Sequence, residues 1–113
     1  REIRRGSQYD GIIMDPPSYG RGSKGEIWQF DRDLWQLLQK CRKILSASPL
    51  FFLVNAYTAG ISPTIVGNLL REALSDLGGS VTSGEIGLPI SDSLNVLPCG
   101  LFARWDSQHF SQF

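Results

Sequence analysis

The chain has 113 residues, 42% of them apolar, and eleven basic side chains balance eleven acidic ones. That length suits one domain with its own core, and the composition excludes a disordered or low-complexity protein. Electrical neutrality argues against a surface dedicated to coating nucleic acid, while leaving room for a small binding site. Cys41 and Cys99 form no CxxC pair and His109 is the one histidine, so a zinc site is not expected. Two lone cysteines without a signal peptide fit a reducing compartment, and the longest apolar run, "LFFLV", is far too short for a bilayer. A soluble cytoplasmic protein is expected.

The first residues, "REIRRGSQYDG", carry no initiator methionine and run straight into a strand, which reads as a piece of something longer. Residues Tyr9 to Met14 form that strand, short and apolar between Gly6 and Pro16. A loop with Gly20, Gly22 and Gly25 follows from Ser18 to Phe30. Asp31 or Asp33 can cap a helix whose apolar stripe is Leu34, Leu37, Leu38, Cys41, Ile44 and Leu45. Lys40, Arg42 and Lys43 suit the negative end of its dipole, and Pro49 closes it. Leu50 to Val54 shows no polar alternation, the pattern of a strand buried on both faces of a parallel sheet.

A second helix is clearly punctuated. Ser62 can be its N-cap and Pro63 its first residue, and Gly78 and Gly79 end it. Val66, Leu69, Leu70, Ala73, Leu74 and Leu77 make its apolar face. Val81 to Leu88 and Val96 to Trp105 are then two strands with no helix between them, joined by "PISDSLN" in a hairpin-like return. The order is strand, helix, strand, helix, strand, strand: an α/β fold with a parallel unit and a terminal antiparallel pair. With no repeat and no linker, residues 1–113 read as one domain whose last residues, "DSQHFSQF", fray or pack loosely.

In such sheets ligands bind beyond the carboxyl ends of the strands, and "DPPSYGRG" lies there. Pro16 and Pro17 fix φ and remove two donors, and Asp15, preceding a proline, is pushed toward extended geometry. The result is a rigid step carrying a carboxylate and exposed carbonyls, with the Tyr19 ring nearby. A planar substrate with an amino group suits it: the ring stacks on Tyr19 while the amino hydrogens bond to Asp15 and to the Pro16 carbonyl. From these residues alone, a merely stiff turn with Asp15 as a helix cap explains the stretch equally well.

"DPPSYGRG" after "YDGIIM" resembles the D/N-P-P-Y/F signature that follows the fourth strand of class I S-adenosylmethionine-dependent methyltransferases, and "NVLPCGLFARW" is similar to the last strand of bacterial large-subunit ribosomal RNA methyltransferases. The resemblance covers nearly the whole chain. It implies the C-terminal half of a Rossmann-like catalytic domain, with S-adenosyl-L-methionine as cofactor of the full-length parent and RNA as its substrate. Carried over, Asp15 contacts the target amine and the cofactor's methionine end, the Pro16 carbonyl accepts from the target, and Pro17 stiffens the step. Tyr19 takes the aromatic place, one residue late because Ser18 intervenes; Ser18 and Tyr19 join the substrate side. The family's glycine-rich turn after the first strand and acid after the second are not in this sequence, and "GRGSKG" opens a loop rather than a helix. The isolated fragment is therefore expected to be inactive and to bind cofactor weakly.

Other residues carry two readings. Asn55 and Tyr57 follow the second long strand at the ligand edge and either touch substrate or make a turn. Trp28 and Phe30 either form a lid with glycine hinges or anchor the loop. Arg21, Lys24 and Arg32 either meet phosphates or lie solvated. Cys99 reads as a small core residue rather than the thiol of cytosine methylation, Cys41 as packing, and Glu26 and His109 carry no signal. The rival functions are transfer to a cytosine carbon, DNA, protein or small molecule, a non-catalytic assembly module, and a nucleotidase built on "IIMD". A half-sheet also leaves the Tyr9–Met14 edge bare, so the isolated chain is expected to self-associate there.

Overall fold

The computed structural model describes residues 1–108. Its elements, in order, are α1 (Glu2–Arg5), β1 (Gly11–Met14), β2 (Tyr19–Arg21), β3 (Ile27–Gln29), α2 (Phe30–Ile44), β4 (Phe51–Ala56), α3 (Pro63–Ala73), a 3-10 turn (Ser75–Leu77), β5 (Ser80–Pro89) and β6 (Val96–Asp106). The main sheet runs β1-β4-β6-β5, with β1 parallel to β4 and the other two pairings antiparallel. The α/β class and the terminal antiparallel pair match the sequence reading. His109, along with the rest of residues 109–113, lies outside the described residues.

Periodicity decides the helices. In α2, Phe30, Leu34 and Leu38 are buried, and Leu45 just beyond its end is 3% exposed. In α3, Val66, Gly67 and Leu70 are buried. Both stripes meet Phe52, Val54 and Ala56 of β4 and Leu101, Ala103 and Trp105 of β6 in one core. The Ser62 hydroxyl accepts from the Thr64 N–H at 3.2 Å, and Pro63 opens α3, as expected. Gly79 takes φ +74°, and a Cβ there would run into the Asp106 carbonyl, so the chain turns into β5 where only glycine fits. Beside it, the Trp105 indole N–H donates to the Gly78 carbonyl at 2.8 Å. Arg42 at the end of α2 meets Asp76 at 2.7 Å, an exposed tie of small weight.

Several expectations need correction. The first strand starts at Gly11, not Tyr9, because the backbone of Tyr9 is taken by the segment after α2: it donates to Ile44 and accepts from Ser46, each at 2.8 Å. The lead-in contains the short helix α1. The stretch from Ser18 to Phe30 is not an irregular loop but holds the β2–β3 hairpin, paired Tyr19↔Gln29 through Arg21↔Ile27. Asp31 and Asp33 are not N-caps: α2 begins at Phe30, and Asp33 reaches back from inside the first turn.

β4 is not buried on both faces. Phe52, Val54 and Ala56 are buried while Phe51, Leu53 and Asn55 are half-buried, so its apolar run meets a full core on one side only. The start of the expected frayed tail is ordered: Asp106 ends β6, and Ser107, 8% exposed, donates its N–H to the Leu50 carbonyl at 2.9 Å. Cys99 is half-buried and stands outside the core, whereas Cys41 packs against it. Burial pushes the Cys41 thiol pKa up, in keeping with an inert packing role. Among the described residues no helix is long and apolar enough to cross a membrane.

Leu38 is fully buried where α2 meets the sheet. Leu38→Ala is expected to cost about 3 kcal/mol, the usual range for a truncation that leaves a cavity, read as a lower urea midpoint at unchanged slope.

Candidate functional site

Parallel pairing brings the two loops together. Met14 lies opposite Val54, so β1 and β4 release their chains at the same sheet edge. Asp15 begins the first loop and is exposed; among the described residues its carboxylate has no partner. Tyr57 begins the second loop and is 62% exposed. A hydrogen bond of 2.8 Å between the Ser18 and Thr58 hydroxyls ties one loop to the other.

The proline step is held from the opposite side by the hairpin. The Trp28 indole N–H donates to the Pro17 carbonyl at 2.6 Å, and the Phe30 N–H donates to the Ser18 carbonyl at 3.0 Å. These bonds consume the carbonyls that follow Pro16 and leave the Pro16 carbonyl without a hydrogen bond among the described residues. The anchor reading of Trp28 and Phe30 is thus the observed one. Phe30 is 1% exposed as the first residue of α2 and cannot be part of a lid.

Charge organises the base of the hairpin. Arg32 grips Asp33 with two nitrogens, at 2.9 and 2.8 Å, and donates to the Ile27 carbonyl at 2.6 Å. Asp33 also accepts the Gln29 N–H at 2.8 Å, closing the start of α2. The Arg32 guanidinium, then this backbone donor, lower the Asp33 pKa from 3.8 to about 2. Arg32 is therefore occupied, and only Arg21 and Lys24 remain as exposed cations on the hairpin, Arg21 with its Nε donating to the Tyr19 hydroxyl at 3.2 Å.

The remaining expected residues fall as follows. Tyr19 is 51% exposed in β2 rather than in a loop. Asn55 does not follow the strand: it lies within β4, opposite Phe102 and half-buried, on the face away from the core residues. Asp15, Pro16, Pro17, Ser18 and Tyr57 thus gather at one edge, while Asn55 turns to the far face. Sequence reasoning missed Thr58, although "NAYT" contains it, because a hydroxyl has no periodicity. It also missed Glu85 and Gly100 and read Cys99 as core, whereas all three join Tyr57 and Thr58 around a cavity of about 500 Å³. Among the described residues no His, Cys, Asp and Glu cluster could hold a metal ion.

A depressed carboxylate stabilises the fold above its ordinary pKa, and that contribution is lost as pH falls from 3.8 toward about 2. The protection factor of the Gln29 amide, its exchange rate relative to that of an unstructured peptide at the same pH, is expected to fall across this window in the wild type, and to be low already at neutral pH in Asp33→Asn.

No protein-family model matches the chain, and no curated protein does. Solved structures do. The chain is 40% identical to an S-adenosylmethionine-dependent methyltransferase from Agrobacterium tumefaciens, over 95% of this chain and 36% of that one, with a TM-score of 0.86. It is 22% identical to SMU.776, assigned as a methyltransferase and complexed with SAH, over 92% of this chain and 28% of that one, with a TM-score of 0.59. A further protein assigned as a SAM-dependent methyltransferase, from Streptococcus mutans, is 19% identical over 92% of this chain and 27% of its own, with a TM-score of 0.60. The chain thus spans about a third of the length of the structures it matches. The partial Rossmann-like sheet and the identity to the Agrobacterium protein lead to one conclusion: this chain belongs with the class I S-adenosylmethionine-dependent methyltransferases.

Proposed function

We propose that this chain is the acceptor side, the C-terminal half, of a catalytic domain that transfers a methyl group from S-adenosyl-L-methionine to a base in RNA in the cytoplasm. One observation carries the reading: an exposed, unpartnered Asp15 carboxylate on a proline step that is pinned on both sides, at the sheet edge where this fold takes ligands. The 40% identity to the Agrobacterium methyltransferase supports the reaction class. The RNA assignment rests on the resemblance of "DPPSYGRG" and "NVLPCGLFARW" to ribosomal RNA methyltransferases, with Arg21 and Lys24 exposed nearby to meet phosphates.

The residues present fit the cofactor's methionine end only. The free Asp15 carboxylate matches an ammonium, whereas the glycine-rich turn that serves the nucleoside in the family is not in this sequence. When bound, the cofactor supplies an electrophilic methyl group on a sulfonium. Asp15 and the Pro16 carbonyl accept the hydrogens of the acceptor amine and so aim its lone pair. Pro16 and Pro17 fix this pair of acceptors before substrate arrives, which removes reorganisation from the reacting geometry. Tyr19 offers a ring on which a base can stack, and a base held in a duplex must flip out to reach it.

Asp15→Ala in the full-length protein is expected to lower methyl transfer by at least about 10²-fold, the scale of a lost orienting contact. Labelled cofactor and separate pools of RNA, DNA and protein give the readout. Label in another pool discards RNA and keeps the chemistry; retained transfer in Asp15→Ala removes Asp15 from the mechanism and favours a rigid turn.

Among the described residues β1 is an edge strand, paired on one side only, with Ile13 67% exposed. An open edge of this kind recruits a second strand, so the isolated chain is expected to dimerise through Gly11–Met14 at high micromolar concentration. A clean monomer by sedimentation overturns that expectation. Calorimetry with S-adenosylhomocysteine is expected to show weak or no binding to the isolated chain; tight binding would place the cofactor site within these residues.

A further inference from the structure

We propose that the cavity of about 500 Å³ at the carboxyl end of β4 seats a nucleobase that flanks the methyl acceptor and bears an exocyclic amine, with Tyr57 as its stacking face and Glu85 as the reader of its amino edge. This deepens the acceptor-side reading above and rests on it. The position comes first. The cavity opens beside Thr58, whose hydroxyl is bound at 2.8 Å to Ser18, three residues beyond Asp15. The proline step and the cavity therefore share one wall.

The shape is built by the β5–β6 hairpin. Ile86 faces Gly100 and Gly87 faces Pro98, so Cys99 is an extra residue on β6 and forms a bulge. The bulge bends the strand at the cavity, and the Cys99 thiol donates to the Ile86 carbonyl at 3.4 Å. Gly100 follows with φ +149°, and a Cβ there would come within 2.7 Å of the Ala56 carbonyl oxygen and 2.9 Å of Tyr57 Cδ1. The Tyr57 ring thus rests on bare glycine backbone, held from below, while the residue stays 62% exposed. A ring fixed on one side and open elsewhere is a stacking platform, because little side-chain freedom is lost when a base settles on it.

The chemistry is selected by one charge. Glu85 is the single charged residue lining the cavity, and its carboxylate has no partner among the described residues. A carboxylate only accepts, so it favours amino hydrogens and repels phosphate. Adenine, cytosine and guanine present such hydrogens on an exocyclic amine; uracil does not. The base edge enters the cavity and the phosphates stay outside it.

The test has a binding arm and a transfer arm. Cytidine, adenosine and uridine are titrated into this chain while the amide and ring resonances of Tyr57, Glu85 and Gly100 are followed. Cytidine and adenosine are expected to shift all three residues and to bind about tenfold more tightly than uridine, the scale of one charge-assisted hydrogen bond. Glu85→Gln is expected to erase that preference with the fold intact. Tyr57→Ala is expected to weaken all three nucleosides and Tyr57→Phe to keep their affinity. Shifts located elsewhere, no shifts, or a preference unchanged in Glu85→Gln overturns the assignment. In the transfer arm, the full-length protein is assayed on RNA. An active enzyme whose KM for RNA is unmoved by Glu85→Gln refutes the cavity and leaves the methyltransferase standing. An inactive wild type, in a chain that still selects amino nucleosides through Glu85, refutes the transfer reaction and leaves the cavity.

Discussion

The parallel pairing of β1 with β4 is the constraint on which the rest depends. Two parallel neighbours cannot be joined by a tight turn, so the chain must cross over, and α2 is that crossover. The crossover places Phe30, Leu34 and Leu38 over Phe52 and Val54, which creates the core. The same pairing sends both strands out at one edge. That edge is where Asp15 and Tyr57 emerge, and there the Ser18 and Thr58 hydroxyls meet at 2.8 Å.

Around that edge, rigidity is layered. Pro16 and Pro17 restrict the backbone by covalent geometry, and Trp28 and Phe30 then hold the carbonyls of Pro17 and Ser18 from the hairpin and the start of α2. Arg32 and Asp33 clamp the base of that hairpin onto α2. Each bond alone is small, but all act on one short segment. The carboxylate at its head is therefore presented by an ordered support rather than by a mobile loop, as the orienting role proposed for Asp15 requires.

The β5–β6 hairpin contributes in a different way. β4 pairs with β6 only from Leu101 to Asp106, so the part of the hairpin from Val96 to Gly100 reaches beyond the β4 edge. Its tip carries Leu88, Leu94, Val96 and Leu97, all more than half exposed. The bulge at Cys99 falls at the boundary between the core-bearing and the projecting parts, and that boundary forms one wall of the cavity beside Tyr57.

Much of this was legible in the sequence. The stripes from Leu34 to Leu45 and from Val66 to Leu74 carried both helices, and Ser62 and Pro63 the start of α3, because capping and periodicity are local effects; Gly78 and Gly79 do not end α3, which stops at Ala73 and passes into the 3-10 turn before them. "DPPS" announced a stiff carboxylate-bearing step, and its resemblance to the methyltransferase signature led to the family that the structural likeness then supported. What the sequence by itself could not determine depended on partners distant along the chain. Tyr9 looked like strand but paired with the end of α2, and "LFFLV" looked buried on both faces although only one received a core. Trp28 and Phe30 could be read as lid or, slightly better, as anchor, and their bonds to the Pro17 and Ser18 carbonyls decided for the anchor. Thr58, Glu85 and Gly100 had no pattern at all. Local sequence determines which conformations a segment prefers, whereas the cavity and the pinned carboxylate arise from contacts between segments 40 residues apart or more, such as Ser18 with Thr58 and Tyr57 with Gly100, and only the folded chain decides those.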